Sequence, residues 1–321
     1  MSSAKIILRG QHGQYTFQPR RLFRRGGMSY LFRGENTTTR QPVVVKVLKK
    51  QFAANPMYVK RTERESQIRV THRNVVQVYD YLVRDGKVHL VLEYIEGQNV
   101  QELIDQHNAA GTQLSVGRVA KIIQDVLRGL SVVHGLYQPI IHRDIKPANI
   151  IVSHRTGEAK ITDFGIAKII GQDPVGEDRV TRMGMQIGTP AYQAPEQRNA
   201  QHDLINETTD LYSTGLMLYE MLTGRLPAGS GAPLKLDPGL PHHRSIPRGL
   251  LRVVERATQP AQNQRFASAK EFSDAITAAL RSGGSLGRRS FDWHRVPLWT
   301  WVSLLLGAGV LVLLALLILN A

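Results

Sequence analysis

Strand-forming and helix-forming patterns are segregated along this chain, and their order restricts the folds open to it. Short β-branched or apolar runs flanked by turns, Val43 to Leu48 and Val88 to Leu92, lie within the first hundred residues and read as strands. Between them, roughly 56 to 70, a charged stretch has helical composition. From about Asn99 onward apolar residues recur at helical spacing, for example from Val119 to Leu127. A sheet-rich part followed by a larger helical part is an α+β arrangement, and the cleft between two such units is the default place for a ligand.

Three motifs in the helical part carry chemistry. His142-Arg143-Asp144-Ile145-Lys146-Pro147-Ala148-Asn149 comes first, then Ile161-Thr162-Asp163-Phe164-Gly165, then the run from Gly188 to Glu196, Gly-Thr-Pro-Ala-Tyr-Gln-Ala-Pro-Glu. With these residues in this order, the chain resembles the protein kinases, matching their catalytic loop, metal-binding motif and substrate platform. The wording of the third motif, and of Tyr219 to Pro227, is similar to the bacterial Ser/Thr branch of the eukaryotic-like kinases. The resemblance implies a bilobal fold, with a small lobe at about 14–95 and a larger helical lobe at about 96–280. Residues 1–13 are expected to form an extension outside that domain.

Phosphoryl transfer through a loose transition state needs positioning and charge neutralisation more than covalent chemistry. By the resemblance, Asp144 accepts the proton of the acceptor hydroxyl and Lys146 neutralises charge developing on the γ-phosphate of ATP. Asn149 and Asp163 are oxygen ligands of the kind Mg²⁺ prefers, with Mn²⁺ as its substitute. Lys46 holds the α- and β-phosphates, paired with a glutamate on the following helix. Spacing back from His72-Arg73-Asn74-Val75-Val76 selects Glu63; Glu65 fits only a helix shorter by two residues. The two lie on nearly opposite faces of one helix, so only one can serve. Leu92 falls at the gatekeeper position, and Glu93 and Ile95 are expected to offer backbone groups to adenine. Phe23, Gly26, Leu31, Val44 and Ile151 complete the implied ATP site.

The stretch that matches the family's phosphate-covering loop is Arg24-Arg25-Gly26-Gly27-Met28-Ser29-Tyr30-Leu31, which keeps only the middle of three glycines. Arg24 restricts a backbone that glycine leaves free, and its side chain is expected to reach the phosphates. This thin loop motivates the alternative, a membrane-tethered scaffold with weak or no ATP turnover. Arg143 before the catalytic aspartate implies control by a phosphate in the activation loop. Thr181 is the expected site, autophosphorylated in trans during a transient self-association, while Thr189 braces the catalytic residues without phosphate. Asp210 is expected to brace the catalytic loop, and Arg265 to pair with Glu196.

The net charge of +15 is concentrated in residues 1–73, where 16 Lys/Arg face 3 Asp/Glu, a surplus of +13. Such asymmetry suits an anionic partner; no aromatic-rich motif accompanies it, so nucleic acid is not expected. There is no cysteine, which excludes disulfides and thiolate chemistry, and the start of the chain lacks the apolar core of a secretory signal. A linker at 281–295 carries four arginines, and 296–319 is free of charge. As a helix the latter spans about 36 Å, enough for a hydrocarbon core of about 30 Å. Trp299 and Trp301 lie at one end of it, where indoles favour the headgroup level. The expectation is a protein with protein substrates, held at the cell membrane by a C-terminal helix with its folded domain in the cytoplasm.

Overall fold

Side-chain alternation along one strand, β4 (Pro42–Leu48), separates the two cores of the molecule. Val43, Val45 and Val47 point to one face and are buried with Leu8, Tyr15, Phe17, Phe32 and Val91. Val44 and Lys46 point the other way, and Val44 packs against the second, larger core. The computed structural model describes residues 5–67, 70–164, 168–169, 190–227, 234 and 246–284.

The small lobe is an antiparallel sheet in the order β1-β2-β3-β4-β6-β5. Its other strands are β1 (Ile6–Arg9), β2 (Gln14–Arg25), β3 (Ser29–Asn36), β5 (Val78–Arg84) and β6 (Lys87–Glu93). A short helix α1 (Lys50–Ala53) and the longer α2 (Pro56–Gln67) follow β4. Residues 6–9, within the expected N-terminal extension, form β1 and pair with β2 as the edge strand of the sheet. The turn after β1 is tied down by buried Asp80 on β5, which accepts from Gln11 N (2.9 Å), His12 N (3.0 Å) and the Tyr15 hydroxyl (2.7 Å).

Residues 94–96 lead from β6 to β7 (Gly97–Asn99), which joins a small sheet in the order β10-β9-β7 with β9 (Ile150–Ser153) and β10 (Ala159–Ile161). Gly97 is required there, because a Cβ on it would sit 2.1 Å from the Val152 carbonyl oxygen. Helix α3 (Val100–Ala109) starts on a capping box: Asn99 Oδ1 accepts from Glu102 N (2.8 Å) and Glu102 Oε2 accepts from Asn99 N (2.9 Å). Helix α4 (Val116–His134), capped by Ser115, buries a stripe running from Val119 through Ile123, Val126 and Leu130 to Val133. Strand β8 (Ile140–Ile141) pairs with β11 (Lys168–Ile169), and the short helix α5 (Pro195–Arg198) follows. Helix α6 (Glu207–Thr223), buried along nearly its whole length, ends at Gly224 in the left-handed region (φ +76°). Helices α7 (Arg248–Ala257) and α8 (Ala269–Gly284) complete the large core.

Among the described residues no helix is long and apolar enough to cross a membrane. The apolar run at 296–319 and all but the first four residues of the basic linker lie outside the described residues.

Candidate active site

Lys46 is the meeting point of three elements. Its Nζ lies 2.8 Å and 3.0 Å from the two carboxylate oxygens of Glu65 on α2, and 2.9 Å from Asp163 Oδ1 after β10. Glu65, not Glu63, is therefore the partner of Lys46. The reason is the helix face: Thr62 and Glu65, three residues apart, point inward together, with Glu65 only 2% exposed, whereas Glu63 is exposed. Burial works against the Lys46 ammonium, but Asp163 and Glu65 outweigh it and hold its pKa above the ordinary lysine value. The Lys46 charge in turn holds the Asp163 carboxyl below the usual carboxylate range. Asp163 adopts φ +63°, a conformation uncommon for a residue with a side chain and one that the surrounding contacts have to maintain.

The turn from 142 to 149 gathers a second cluster. Asp144 Oδ2 accepts from Lys146 Nζ (2.7 Å) and Asn149 Nδ2 (3.0 Å), and the same Asn149 amide donates to the Asp144 carbonyl (2.9 Å). Asn149 is fixed from its other side, since its carbonyl accepts from the backbone N–H and the hydroxyl of Thr162. Thr162 directly precedes Asp163, so this contact joins the two clusters. Among the described residues no hydrogen bond reaches the Asn149 amide oxygen or Asp163 Oδ2. Both are hard oxygen donors that suit Mg²⁺ or Mn²⁺. The described residues hold no group of three His, Cys, Asp or Glu able to bind a metal alone, so the remaining ligands would come from phosphate and water.

Asp210, fully buried near the start of α6, sets the shape of this turn. Its carboxylate accepts from His142 N (2.8 Å) and Arg143 N (2.8 Å) and lies 2.9 Å from His134 Nε2. Arg143 can thus hold φ +69°, and its carbonyl accepts from Gln197 Nε2 (2.8 Å). His142 was not anticipated as a functional residue. Its Nδ1 accepts from Asp144 N (3.2 Å), its Nε2 faces the Thr162 carbonyl (3.0 Å), and its ring packs 4.6 Å from Phe164. A ring bonded in this way links the Asp144 turn to the Asp163 segment. Its position before Arg-Asp was the available signal.

The residues expected to bind nucleotide are placed as follows. Val44 and Lys46 share the inner face of β4, Leu31 pairs with Lys46 in the neighbouring strand, and Leu92 pairs with Val44. Ile151, half-buried, lies on β9 of the large lobe. Glu93 N donates to Gln77 O (2.9 Å) while its side chain binds Lys160; neither backbone group of Ile95 is engaged among the described residues. The Phe23 ring meets Tyr94 edge-on at 5.9 Å. In the β2–β3 turn, Gly26 N donates to Ser29 O (3.0 Å), and Lys49 Nζ donates to Gly26 O (2.7 Å) and Gly27 O (2.5 Å). Arg24 departs from expectation: its guanidinium is bonded to the Glu102 carboxylate on α3, because that carboxylate, fixed by the helix cap, lies within its reach.

Glu196 and Arg265 form a two-pronged ion pair (2.8 and 2.9 Å), with Thr209 Oγ1 also donating to Glu196. Tyr192, of the same platform, donates to buried Glu220. Thr181 and Thr189 lie outside the described residues.

With this geometry in view, a family model described as protein kinase domain matches residues 18–274. Serine/threonine-protein kinase pkn3 of Myxococcus xanthus is 33% identical, over 86% of this chain and 52% of its own length. Serine/threonine-protein kinase PknA of Mycobacterium tuberculosis is 31% identical, over 84% of this chain and 62% of its own. The chain thus spans only about half the length of these curated relatives. The crystal structure of the Mycobacterium tuberculosis PknI kinase domain superposes with a TM-score of 0.65 at 23% identity, covering 87% of this chain and 99% of that one, a likeness of fold.

Proposed function

Because the chain belongs to the protein kinase domain family, we propose that it transfers the γ-phosphate of ATP to serine and threonine hydroxyls of proteins. The observation that carries this reading is the linked pair of clusters, Asp144 with Lys146 and Asn149, and Lys46 with Glu65 and Asp163. In the proposed step the acceptor hydroxyl gives its proton to Asp144 as its oxygen bonds to the γ-phosphorus. The bond from that phosphorus to the bridging β–γ oxygen breaks, and ADP leaves. Lys146, beside Asp144, neutralises the transferred group, and Lys46, held in place by Glu65, orients the α- and β-phosphates. Asn149 and Asp163 would hold Mg²⁺ or Mn²⁺, which when bound offsets the charge of the β- and γ-phosphates. Nothing in the relatives' names supports an inactive scaffold.

Incubation with γ-labelled ATP, followed by phosphoamino-acid analysis, tests acceptor class. Labelled serine and threonine support the reading; label confined to tyrosine contradicts it.

Two further parts of the proposal rest on sequence. Thr181, in Asp178-Arg179-Val180-Thr181-Arg182, is proposed as the residue autophosphorylated in trans, its phosphate pairing with Arg143. Peptide mapping of the active enzyme tests it, and full activity with Thr181 unmodified refutes it. The run at 296–319, preceded by Arg288, Arg289 and Arg295, is proposed to anchor the kinase with its domain on the cytoplasmic face. Protease added to intact spheroplasts should then leave the kinase domain whole; digestion of that domain would reverse the orientation.

A further inference from the structure

The end of β2 makes two contacts away from the small lobe. Phe23 meets Tyr94, in the segment that joins the lobes. Arg24, the next residue, crosses to the large lobe and binds Glu102 in the first turn of α3. Glu102 is held before Arg24 arrives: its Oε2 accepts from Asn99 N (2.9 Å) while its own N–H is held by Asn99 Oδ1 (2.8 Å), which leaves Oε1 for the guanidinium. Little side-chain freedom is therefore lost on the acidic side, the usual reason that surface pairs are weak. Both side chains stay partly exposed, at 45% and 39%, so the contact is reversible and open to salt.

The turn that follows is closed on itself. The Gly26 N–H is taken by Ser29 O, and the carbonyls of Gly26 and Gly27 are clasped by Lys49. A turn that begins with glycine has no side chain at the position of Arg24 with which to reach the other lobe. Here the substitution that thins the glycine motif also supplies a tie between lobes.

We propose that Arg24 and Glu102 form an ionic latch across the cleft mouth that slows nucleotide release. Arg24 is on this account a positioning residue acting through the β2–β3 turn, and it does not itself contact phosphate. The inference rests on the ATP site proposed above, since a ligand held by Val44, Lys46 and Ile151 leaves past the Phe23 and Arg24 contacts.

The test uses the full chain and the release of N-methylanthraniloyl-labelled ADP followed by stopped-flow fluorescence. Arg24→Gln and Glu102→Gln should each speed release by about two- to fivefold, the range open to one partly exposed ion pair. Glu102→Gln retains an amide oxygen for Asn99 N, so the helix cap persists. The double variant Arg24→Gln with Glu102→Gln should release no faster than either single variant, a non-additivity that two independent structural effects would not give. Raising salt from about 0.05 to about 0.5 M should speed wild-type release by a larger factor than release from Arg24→Gln, which lacks the exposed ion pair. Single variants that release at the wild-type rate, or a double variant whose acceleration is the product of the two singles, overturn the latch alone. A wild-type chain that binds no labelled nucleotide overturns the ATP site as well.

Discussion

Glu196 and Arg265, 69 residues apart, meet through two hydrogen bonds of 2.8 and 2.9 Å with both side chains almost wholly withdrawn from water. Arg265 also donates to the carbonyls of Gln259 (2.7 Å) and Pro260 (2.9 Å), so the guanidinium is satisfied on several sides. The pair fastens α5, which begins at the end of the Gly188 to Glu196 motif, to the segment between α7 and α8. A buried charge left without its partner is costly, so Arg265→Met should destabilise the protein by about 3–5 kcal/mol at neutral pH.

That difference should depend on pH with a definite sign. Burial pushes the Glu196 carboxyl up, but the hydrogen bonds and charge of Arg265 prevail and hold it below its ordinary value. A folded-state pKa below the unfolded one stabilises fully above the unfolded value, about 4.3, and the stabilisation is lost as pH falls through the folded value. Urea midpoints of wild type and Arg265→Met should therefore stay apart above about pH 5 and converge in more acid solution. A gap that stays constant down to about pH 3 would contradict the ion-pair account.

The assignment of Glu65 to Lys46 separates two neighbouring glutamates. Glu65→Gln removes the charge 2.8 Å from the ammonium and should lower kcat/KM for phosphate transfer by about 10²-fold through misplacement of Lys46. Glu63→Gln changes an exposed side chain and should leave kcat/KM within about twofold of wild type, with stability within about 0.5 kcal/mol. Steady-state kinetics of the two variants decide between them.

Asp210 supports the Asp144 turn without touching a reacting atom. Asp210→Ala would leave the N–H groups of His142 and Arg143 buried and unpaired, at about 1–3 kcal/mol each. Thermal unfolding should register that loss, and kcat should fall more than KM for ATP rises, since Lys46 and Glu65 are untouched. A variant as stable and as active as wild type would show that the turn holds its shape without this carboxylate.

Much of the site was legible in the sequence because its chemistry is local in the chain. Asp144, Lys146 and Asn149 lie within six residues, and Asn149 bonds Asp144 directly. The α+β division was equally legible, since Val43 to Leu48 is a β-branched run between turns and Val119 to Leu127 keeps helical spacing. What failed was counting along the chain where geometry decides. Glu63 followed from spacing to a distant motif, whereas the inward face set by Thr62 selects Glu65. The Asn99–Glu102 capping box could be read locally, but its pairing with Arg24, 78 residues earlier, could not. The β1 strand was overlooked because its pairing with β2 follows a turn whose anchor, Asp80, is remote in sequence.

The central claim, that the Asp144 cluster performs phosphate transfer, is tested most directly by one comparison. Purified wild type and Asp144→Asn are incubated with γ-labelled ATP and either Mg²⁺ or Mn²⁺, and transfer to the chain itself and to a general protein acceptor is counted. The substitution keeps the size of the side chain and removes the proton acceptor, so Asp144→Asn should bind nucleotide as wild type does and transfer at least about 10²-fold more slowly. Transfer by Asp144→Asn at the wild-type rate would contradict the account.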